Sequence, residues 1–407
     1  MQPTTKISKL CEALRRGSRP EGSLYIATVS DIHFGHPRTN TFHIAQSLRE
    51  AFPDNEETSQ LDLIFFAGDV FDRLLNLPQE EVDEIQNSIG YILELCAKYN
   101  ILLRVLEGTP SHDWRQSRQF VNINNSAQRS AQLKYVDTLS IEIIPELGNL
   151  SVLYIPDEWN ADASVTKNQV KELLTMFNLD RVDVVCGHGA FDYQLPIESI
   201  KNHDSEWYLS ITNYFVTFGH VHIRSEKALP EKYLSVILAQ GSLDRLSHGE
   251  EADKGHYRAL LLPTRGEGHY WFVENPRARI YKTLDCRGMS LAELFSLMES
   301  LESSPDLSNF RLLINREDTL FHDIKEVRKR WPQFKITTHL PDLKAPEEIA
   351  VPQHLQENIP QPITITRGNI NRLVRERAEK ALQLSKQKVD LDFLLQVLDQ
   401  HAALEKP

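Results

Sequence analysis

Cysteine and long apolar runs are scarce in this sequence, and basic residues are fewer than acidic ones. The four cysteines lie far apart and form no CxxC pair, so they predict neither a disulfide framework nor a zinc ribbon. No stretch approaches the roughly 18–20 apolar residues of a membrane helix, and the amino-terminal segment lacks the apolar core of a secretory signal. We therefore expect a cytoplasmic protein with no membrane partner.

Acidic residues exceed basic ones, because 57 Asp and Glu against 45 Lys and Arg leave a formal net charge of −12 over 407 residues. An acidic protein binds nucleic acid poorly because its own field repels phosphates. A nucleic-acid enzyme with this charge would need bound cations, a local basic patch or a partner. The length and the ordinary content of apolar residues predict a globular chain of two or three domains.

Apolar runs of strand length recur through the first part of the chain, with helical stripes between them. Several of these runs are continuously apolar, which is typical of strands that are covered on both faces. The runs are residues 23–31, 61–69, 101–108, 150–156, 181–189, 214–222, 235–242, 257–263 and 269–274. This alternation predicts a layered α/β domain over residues 1–279.

Three further segments follow this domain. Residues 280–340 show a βαβαβ order, with a capping box of Ser290 and Glu293 at one helix start, and predict a small α/β cap domain. Residues 341–364 contain five prolines and predict an extended linker. Residues 365–407 carry two amphipathic stripes and predict a helical tail. The apolar faces of this tail need a covering surface, either on a partner or on the chain's own domain.

Five short polar motifs follow predicted strands. They are Asp31-Ile-His33, Gly68-Asp69-Val-Phe-Asp72-Arg73, Gly108-Thr-Pro-Ser-His112-Asp113, Gly187-His188-Gly189 and Gly219-His220-Val-His222. Alternate residues of a strand point the same way, so Asp31 with His33, and His220 with His222, can each bind one centre. Carboxylates and imidazoles are ligands of Mn²⁺, Fe²⁺ and Zn²⁺. Any one motif is more often a turn or a packed core histidine, but the five together indicate a hydrolytic metal site.

This ordered set resembles the motifs of the calcineurin-like metallophosphoesterase superfamily. Within it, the chain looks most like the SbcD nuclease family and its phage recombination-endonuclease relatives. If a phage encodes the chain, the expected cytoplasm is that of the host. The start at Asp31-Ile-His-Phe-Gly35 and the segment from Gly241-Ser-Leu-Asp-Arg245 to Lys254-Gly255 carry this closer resemblance. The resemblance implies a metallophosphoesterase core, which is a two-sheet sandwich flanked by helices with the motifs at the strand ends.

The resemblance also implies two divalent metal ions, with Mn²⁺ as the expected identity, and Asp69 as the ligand that they share. The implied ligands are Asp31, His33, Asp69, Ser111, His188, His220 and His222. Ser111 stands where the family has an asparagine directly before its catalytic histidine. A hydroxyl is a weaker ligand than an amide, so we expect the second ion to be held less tightly.

The catalytic group implied by the resemblance is His112, which would stabilise or protonate the leaving oxygen. Asp113 would orient His112, and Asp72 would support the ligands from behind. The basic residues Arg115 and Arg118, which lie just beyond His112, are candidate DNA contacts, with a solvated helix face as the alternative.

The resemblance implies a metal-dependent DNA phosphodiesterase, exo- or endonuclease, that works with an SbcC-type ATPase in DNA end processing, recombination or repair. The expected assembly is a homodimer within a heterotetramer. One alternative is a stand-alone phosphatase or small phosphodiesterase of the same superfamily. The other is a non-catalytic DNA-end scaffold with a weakened metal site. Trp114 is expected to be packed in the core rather than to serve as a base-stacking platform.

Overall fold

A computed structural model of the chain describes residues 3–75, 80–126, 130–156, 160–196 and 199–340, with side chains from residue 7 onward. The predicted Pro-rich linker, 341–364, and the predicted helical tail, 365–407, lie outside the described residues. Within the described part of the chain, no helix combines the length and the apolar character that crossing a membrane requires.

The strands occupy the predicted apolar runs and add three short ones. In chain order they are β1 (Leu24–Val29), β2 (Leu63–Ala67), β3 (Leu102–Leu106), β4 (Leu133–Val136), β5 (Ser140–Ile144), β6 (Leu150–Ile155), β7 (Val182–His188), β8 (Thr212–Gly219), β9 (Ser225–Ala228), β10 (Val236–Ala239), β11 (Gly255–Leu262), β12 (Glu267–Glu274), β13 (Tyr281–Asp285), β14 (Asn309–Leu313) and β15 (Lys335–His339). The unpredicted strands β4, β5 and β9 lie at sheet edges, where short and polar sequences are common.

The helices lie between these strands. They are α1 (Pro3–Arg15), α2 (Thr41–Ala51), α3 (Glu56–Ser59), α4 (Glu80–Tyr99), α5 (Pro110–Asp113), α6 (Gln119–Ser126), α7 (Ala163–Met176), α8 (Ser205–Ser210), α9 (Leu291–Glu299) and α10 (Leu320–Arg330). The predicted capping box is confirmed at the start of α9. The Ser290 side chain accepts a hydrogen bond from the Glu293 backbone amide, and the Glu293 carboxylate accepts one from the Ser290 backbone amide.

Two six-stranded mixed sheets form the larger part of the fold. The first has the order β12-β11-β1-β2-β3-β4, and the second has the order β5-β6-β7-β8-β10-β9. In the first sheet β1 to β4 are parallel, and in the second β6, β7, β8 and β10 are parallel. The carboxyl ends of the parallel strands in each sheet therefore lie side by side, along the edge of the sheet that runs across the strand ends.

Alternate residues of the central strands belong to different apolar layers, which explains their continuous apolar runs. Phe65 joins a cluster that includes Val184 and Phe215 of the second sheet, so this layer is shared by both sheets. Its neighbours Ile64 and Phe66 belong instead to the cluster that contains residues of α2 and α4. Since a strand points successive side chains to opposite faces, strands that are covered on both sides must be apolar throughout. The α/β class is confirmed, and the two sheets are compatible with a sandwich.

A third sheet follows, with the parallel order β13-β14-β15. Its own apolar cluster includes Leu294 of α9 and Val327 of α10. Contacts with the earlier strands and loops include an Asn309–His248 hydrogen bond of 3.3 Å and an edge-on contact of the Tyr281 and His248 rings. All three sheets belong to one compact unit, Met1–Pro341.

Candidate metal centre

The polar motifs come together at the carboxyl ends of parallel strands in both sheets. Asp31 and His33 follow β1, Asp69 follows β2, His188 ends β7 and His220 follows β8. β1 and β2 are parallel neighbours in the first sheet, and β7 and β8 are parallel neighbours in the second. Residues that follow each pair are therefore brought to the same end of their own sheet. This topology assembles residues that are up to about 190 positions apart in the sequence, as the contact between His33 and His222 shows.

The first group consists of Asp31, His33 and His222, whose ligand atoms all lie within 4.8 Å of one another. The Nε2 atoms of His33 and His222 are 3.0 Å apart. Asp31 Oδ1 lies 4.0 Å from the first of these nitrogens and 3.7 Å from the second. Asp31 and His33 are almost completely buried, so this donor set is fixed by the surrounding protein.

The second group consists of Asp69, His188 and His220, again with ligand atoms within 4.8 Å of one another. Asp69 Oδ2 lies 3.3 Å from His188 Nε2, and it also lies 3.9 Å from His33 Nε2 in the first group. Asp69 thus stands between the two groups.

Three of these imidazoles are anchored by oxygen atoms through Nδ1. The acceptors are the Ala67 carbonyl for His188 at 2.7 Å, the Asp72 carboxylate for His33 at 3.1 Å and the Glu250 carboxylate for His222 at 3.2 Å. An oxygen acceptor holds the proton on Nδ1, so in the neutral ring Nε2 presents a lone pair.

These tautomers test whether the centre suits a cation. The Nε2 atoms of His33 and His222, each with a lone pair, lie 3.0 Å apart. The Nε2 atom of His188 lies 3.3 Å from Asp69 Oδ2, which is also an acceptor. Acceptors that face one another repel unless a cation or an additional proton lies between them. The donors are imidazole nitrogen and carboxylate oxygen, which suit Mn²⁺, Fe²⁺ and Zn²⁺. The residues of the centre therefore fit divalent ions.

The backbone at the centre is held in a strained conformation. Left-handed φ values occur at Asp31 (49°), His33 (55°), Asp69 (49°) and His220 (95°). Residues with a Cβ rarely adopt this region, at a cost of about 1–3 kcal/mol each. The amides of His33 and its neighbour Ile32 both donate to the Asp69 carbonyl, which ties the first motif to the second. Strain of this kind clusters at binding and catalytic sites.

Close packing around Asp69 requires a glycine in the neighbouring loop. A Cβ placed at Gly108 would lie 2.1 Å from the Asp69 nitrogen and 2.4 Å from its Oδ1 atom. The next residue, Thr109, donates its amide to Asp69 Oδ1 at 2.6 Å. The glycine allows the third motif to approach the second closely enough for this contact.

The charged groups of the centre shift one another's pKa values. Burial would raise the pKa of Asp69, but the imidazoles of His188 and His33 outweigh it and hold that pKa below its usual range. Burial would lower the pKa of His222, but the carboxylates of Glu250 and Asp31 outweigh it and raise that pKa. Burial would raise the pKa of Glu250, but His222 and Lys254 lower it below its usual range. Ionised carboxylates in a buried site favour a bound cation.

His222 has supporting residues that the sequence analysis did not assign. Glu250 contacts its Nδ1 atom, and the buried Lys254 ammonium donates to Glu250 at 2.9 Å and to the His222 carbonyl at 2.8 Å. Both supporting residues lie in the segment that resembles the SbcD family, which is the sequence signal that could have identified them. Their contacts hold the ring of His222 toward the first group.

Ser111 does not occupy the fourth position of the second group. Its side chain is exposed, and the hydroxyl that lies among the second-group residues belongs to Thr109. Thr109 Oγ1 is 3.1 Å from Asp69 Oδ2, 3.5 Å from His188 Nε2 and 3.4 Å from His220 Nδ1. The structure therefore does not place the Ser111 hydroxyl in the second group, and the role expected of it passes, as a prediction, to Thr109. The physical reason is that Thr109 directly follows Gly108, whereas Ser111 belongs to the helical turn α5.

His112 is positioned by Asp72 and not by Asp113. The His112 Nδ1–H group donates to the Asp72 carbonyl at 2.8 Å, and its ring meets the edge of the His33 ring with centroids 5.1 Å apart. Asp113 is fully buried, and its carboxylate accepts hydrogen bonds from the backbone amides of Phe71 at 2.8 Å and Gly108 at 2.7 Å. Burial, with the charges of Asp69 and Glu107, raises the pKa of Asp113 well above its ordinary value. The orienting role expected of Asp113 is thus corrected: this side chain joins two loops.

Arg115 and Arg118, the predicted DNA contacts, are both exposed. Neither guanidinium forms an ion pair or a hydrogen bond with the described residues. Trp114, which was expected in the core, is instead 54% exposed. Its backbone and that of Arg115 are left-handed, with φ values of 48° and 58°, and this turn directs the ring outward rather than into the core.

The Thr109 contacts lead to a first prediction. Thr109→Val removes the hydroxyl but keeps the shape of the side chain, so it should weaken binding of one of two Mn²⁺ ions about 10-fold or more. Ser111→Ala is the matched control and should leave both affinities unchanged. Isothermal titration of the two variants with Mn²⁺ measures this. Weaker binding in Ser111→Ala, with normal binding in Thr109→Val, would contradict the reassignment.

Comparison with known proteins adds only weak likenesses. No family model and no curated protein matches the chain. GAP50, the anchor in the inner membrane complex of Plasmodium, is similar in structure over 63% of this chain and 86% of its own, with a TM-score of 0.39 and 11% identity. Another solved structure is similar over 61% of this chain and 99% of its own, with a TM-score of 0.37 and 11% identity. At these TM-scores, neither likeness bears on the family or the function of this chain.

Proposed function

We propose that this chain is a two-metal-dependent DNA phosphodiesterase with a calcineurin-like metallophosphoesterase core, similar to SbcD-type nucleases. The observation that carries the proposal is the position of Asp69, whose Oδ2 atom is 3.9 Å from His33 Nε2 and 3.3 Å from His188 Nε2. A carboxylate between two groups of imidazoles suits a pair of ions about 3.5–4 Å apart. Four of the five motifs supply all six residues of the two groups, and the remaining motif supplies the neighbouring Thr109 hydroxyl and His112.

The residues that would hold the ions follow from the two groups. Asp31, His33, His222 and Asp69 would hold one ion, and Asp69, His188, His220 and the Thr109 hydroxyl would hold the other. When bound, divalent ions place positive charge at a phosphate and lower the pKa of water. Mn²⁺ is the proposed identity, on the family resemblance and on the nitrogen and oxygen donors.

His112 is the proposed proton donor to the leaving oxygen. The Asp72 carbonyl holds its Nδ1–H group, so Nε2 is the atom left to carry a proton to or from a substrate. The ring is half-buried and lies beside that of His33, within the rim of the centre. Proton transfer by a positioned imidazole typically contributes a factor of about 10²–10⁴ to the rate.

DNA is the proposed substrate rather than a small phosphate ester. Metal ions would offset the net charge of −12 at the one place where phosphates must approach, and the exposed Arg115 and Arg118 follow His112 directly. A stand-alone phosphatase would need neither the α/β unit after residue 280 nor the sequence that predicts an amphipathic tail.

Substrate assays test this proposal. The purified full chain would be incubated with linear DNA, a phosphoserine peptide and bis(p-nitrophenyl) phosphate, each with Mn²⁺ and with chelator. We expect Mn²⁺-dependent cleavage of DNA and hydrolysis of the small diester. Release of phosphate from the peptide with DNA left intact would favour the phosphatase. DNA binding without any hydrolysis would favour the scaffold.

We further propose that residues 365–407 bind the coiled coil of an SbcC-type ATPase by helix-in-groove docking, in a heterotetramer with two nuclease chains. The support is the sequence, in which leucines at 391, 394, 395 and 398 form a stripe that needs a covering surface. Deletion of 365–407 should keep Mn²⁺-dependent cleavage of short single strands and abolish co-purification with the ATPase. A dead nuclease that still forms the complex would contradict this assignment.

A further inference from the structure

The turn after His112 presents a large aromatic ring to solvent. Trp114 is 54% exposed, although an aromatic ring of this size is usually largely buried. Its Nε1–H group donates to the Ser111 carbonyl at 2.7 Å. The polar group of the indole is therefore satisfied within the turn, and the apolar ring is the part that is offered to a ligand.

The exposed ring is held in place rather than loosely attached. Trp114 and Arg115 are consecutive left-handed residues, a combination that is unfavourable for side chains with a Cβ. The Arg115 amide donates to Glu107 Oε1 at 2.6 Å, and the buried Asp113 carboxylate ties the preceding residue to two neighbouring loops. A strained turn that is fixed on both sides of an exposed indole preorganises the ring for contact.

Two exposed arginines follow the ring in the chain, and the buried Glu107 carboxylate lies at the same turn. Arg115 and Arg118 are exposed and make no side-chain hydrogen bond or ion pair with described residues. The sequence from Trp114 to Tyr135 contains no acidic residue, in a chain whose net charge is −12. His112, two positions before the ring, faces the candidate metal centre. An exposed aromatic ring followed closely in the chain by exposed arginines is a combination that suits single-stranded nucleic acid.

We propose that Trp114 is a stacking platform for an unpaired base of a single-stranded DNA end, with Arg115 and Arg118 on the flanking phosphates. The proposal rests on the nuclease function and narrows its substrate class to strands with an unpaired nucleotide next to the scissile phosphate. A base inside a duplex is already stacked on its neighbours, so the ring favours frayed or single-stranded ends. Stacking does not depend on base identity, because every base has an aromatic face.

Binding of single strands tests the platform. The full chain, in chelator so that no cleavage occurs, would be titrated into a fluorescein-labelled short single strand and into an abasic strand of equal length. Fluorescence anisotropy gives each Kd. Trp114→Ala should raise the Kd for the normal strand about 10-fold, since stacking contributes roughly 1–3 kcal/mol per base, with little change for the abasic strand. Trp114→Phe should keep most of the affinity because it keeps an aromatic face.

Phe177→Ala is the matched control. Phe177 is also exposed and aromatic, but it follows α7 and precedes β7, at the sheet edge opposite His188. The Phe177→Ala variant should bind the normal and the abasic strand with the same Kd values as the wild type. The proposal is overturned if the wild type binds normal and abasic strands equally, or if Trp114→Ala weakens both to the same degree. Since binding is measured without divalent ions, a wild type that discriminates between the strands but cuts no DNA with Mn²⁺ would refute the nuclease function and not the stacking contact.

Discussion

Asp69→Asn is expected to remove Mn²⁺ binding at both positions and to abolish DNA cleavage. Asp69 is the carboxylate that lies between the two groups, and its oxygen atoms also receive the Thr109 amide and hydroxyl. Asparagine has nearly the same size and tolerates a left-handed backbone better than most residues, so the fold should survive. The loss follows from the missing charge, because an amide oxygen cannot bridge two cations as a carboxylate does.

Metal content and nuclease activity, measured on the same preparations, test this expectation. Asp180→Asn is the matched control, because Asp180 is exposed and precedes β7 at the edge opposite the centre. It should retain both ions and full activity. Retention of two ions by Asp69→Asn would contradict the bridging position, even if the activity were lost.

His112→Ala is expected to keep both ions and to lose DNA cleavage by about 10²–10⁴-fold, the usual contribution of a positioned proton donor. Its Nδ1 atom is bound to the Asp72 carbonyl, and His112 is absent from the two groups that contain Asp31 and Asp69. Loss of the ring should therefore affect proton transfer and leave the metal ligands in place.

The decisive readout for His112 is the separation of binding from turnover. The control is His339→Ala, an exposed histidine at the end of β15 in the third sheet, which should change neither quantity. His112 also forms a third group with His33 and Asp72 whose ligand atoms lie within 4.8 Å of one another. If His112→Ala emptied the centre, this third group would be a metal site, and the role assigned to the imidazole would have to be changed.

The strand-end motifs allowed most of the centre to be predicted. Asp31, Asp69 and His188 each lie at or just after the end of an apolar run, and parallel strands bring such positions to one sheet edge. The sequence could therefore indicate which residues meet. The same argument could not indicate that Glu250 contacts His222, because Glu250 lies within the loop between β10 and β11 and not at the end of a strand.

In the third motif, Gly108 to Asp113, the order of residues along the chain did not predict which side chains face the centre. Pro110 begins the helical turn α5, as proline favours at a first helical position. Successive residues of a helical turn point about 100° apart, so Ser111 is exposed and Asp113 faces the interior while His112 lies at the rim. Trp114 was expected in the core because large aromatic residues are usually packed there, but left-handed backbone geometry directs it outward. Such geometry has no signal in composition or spacing.

Anomalous diffraction from a crystal of the full chain soaked in Mn²⁺ tests the two-ion centre most directly. The account predicts two manganese peaks about 3.5–4 Å apart, one beside Asp31, His33 and His222, the other beside His188 and His220, with Asp69 in contact with both. A single peak, or two peaks of which neither is bound by Asp69, would contradict it.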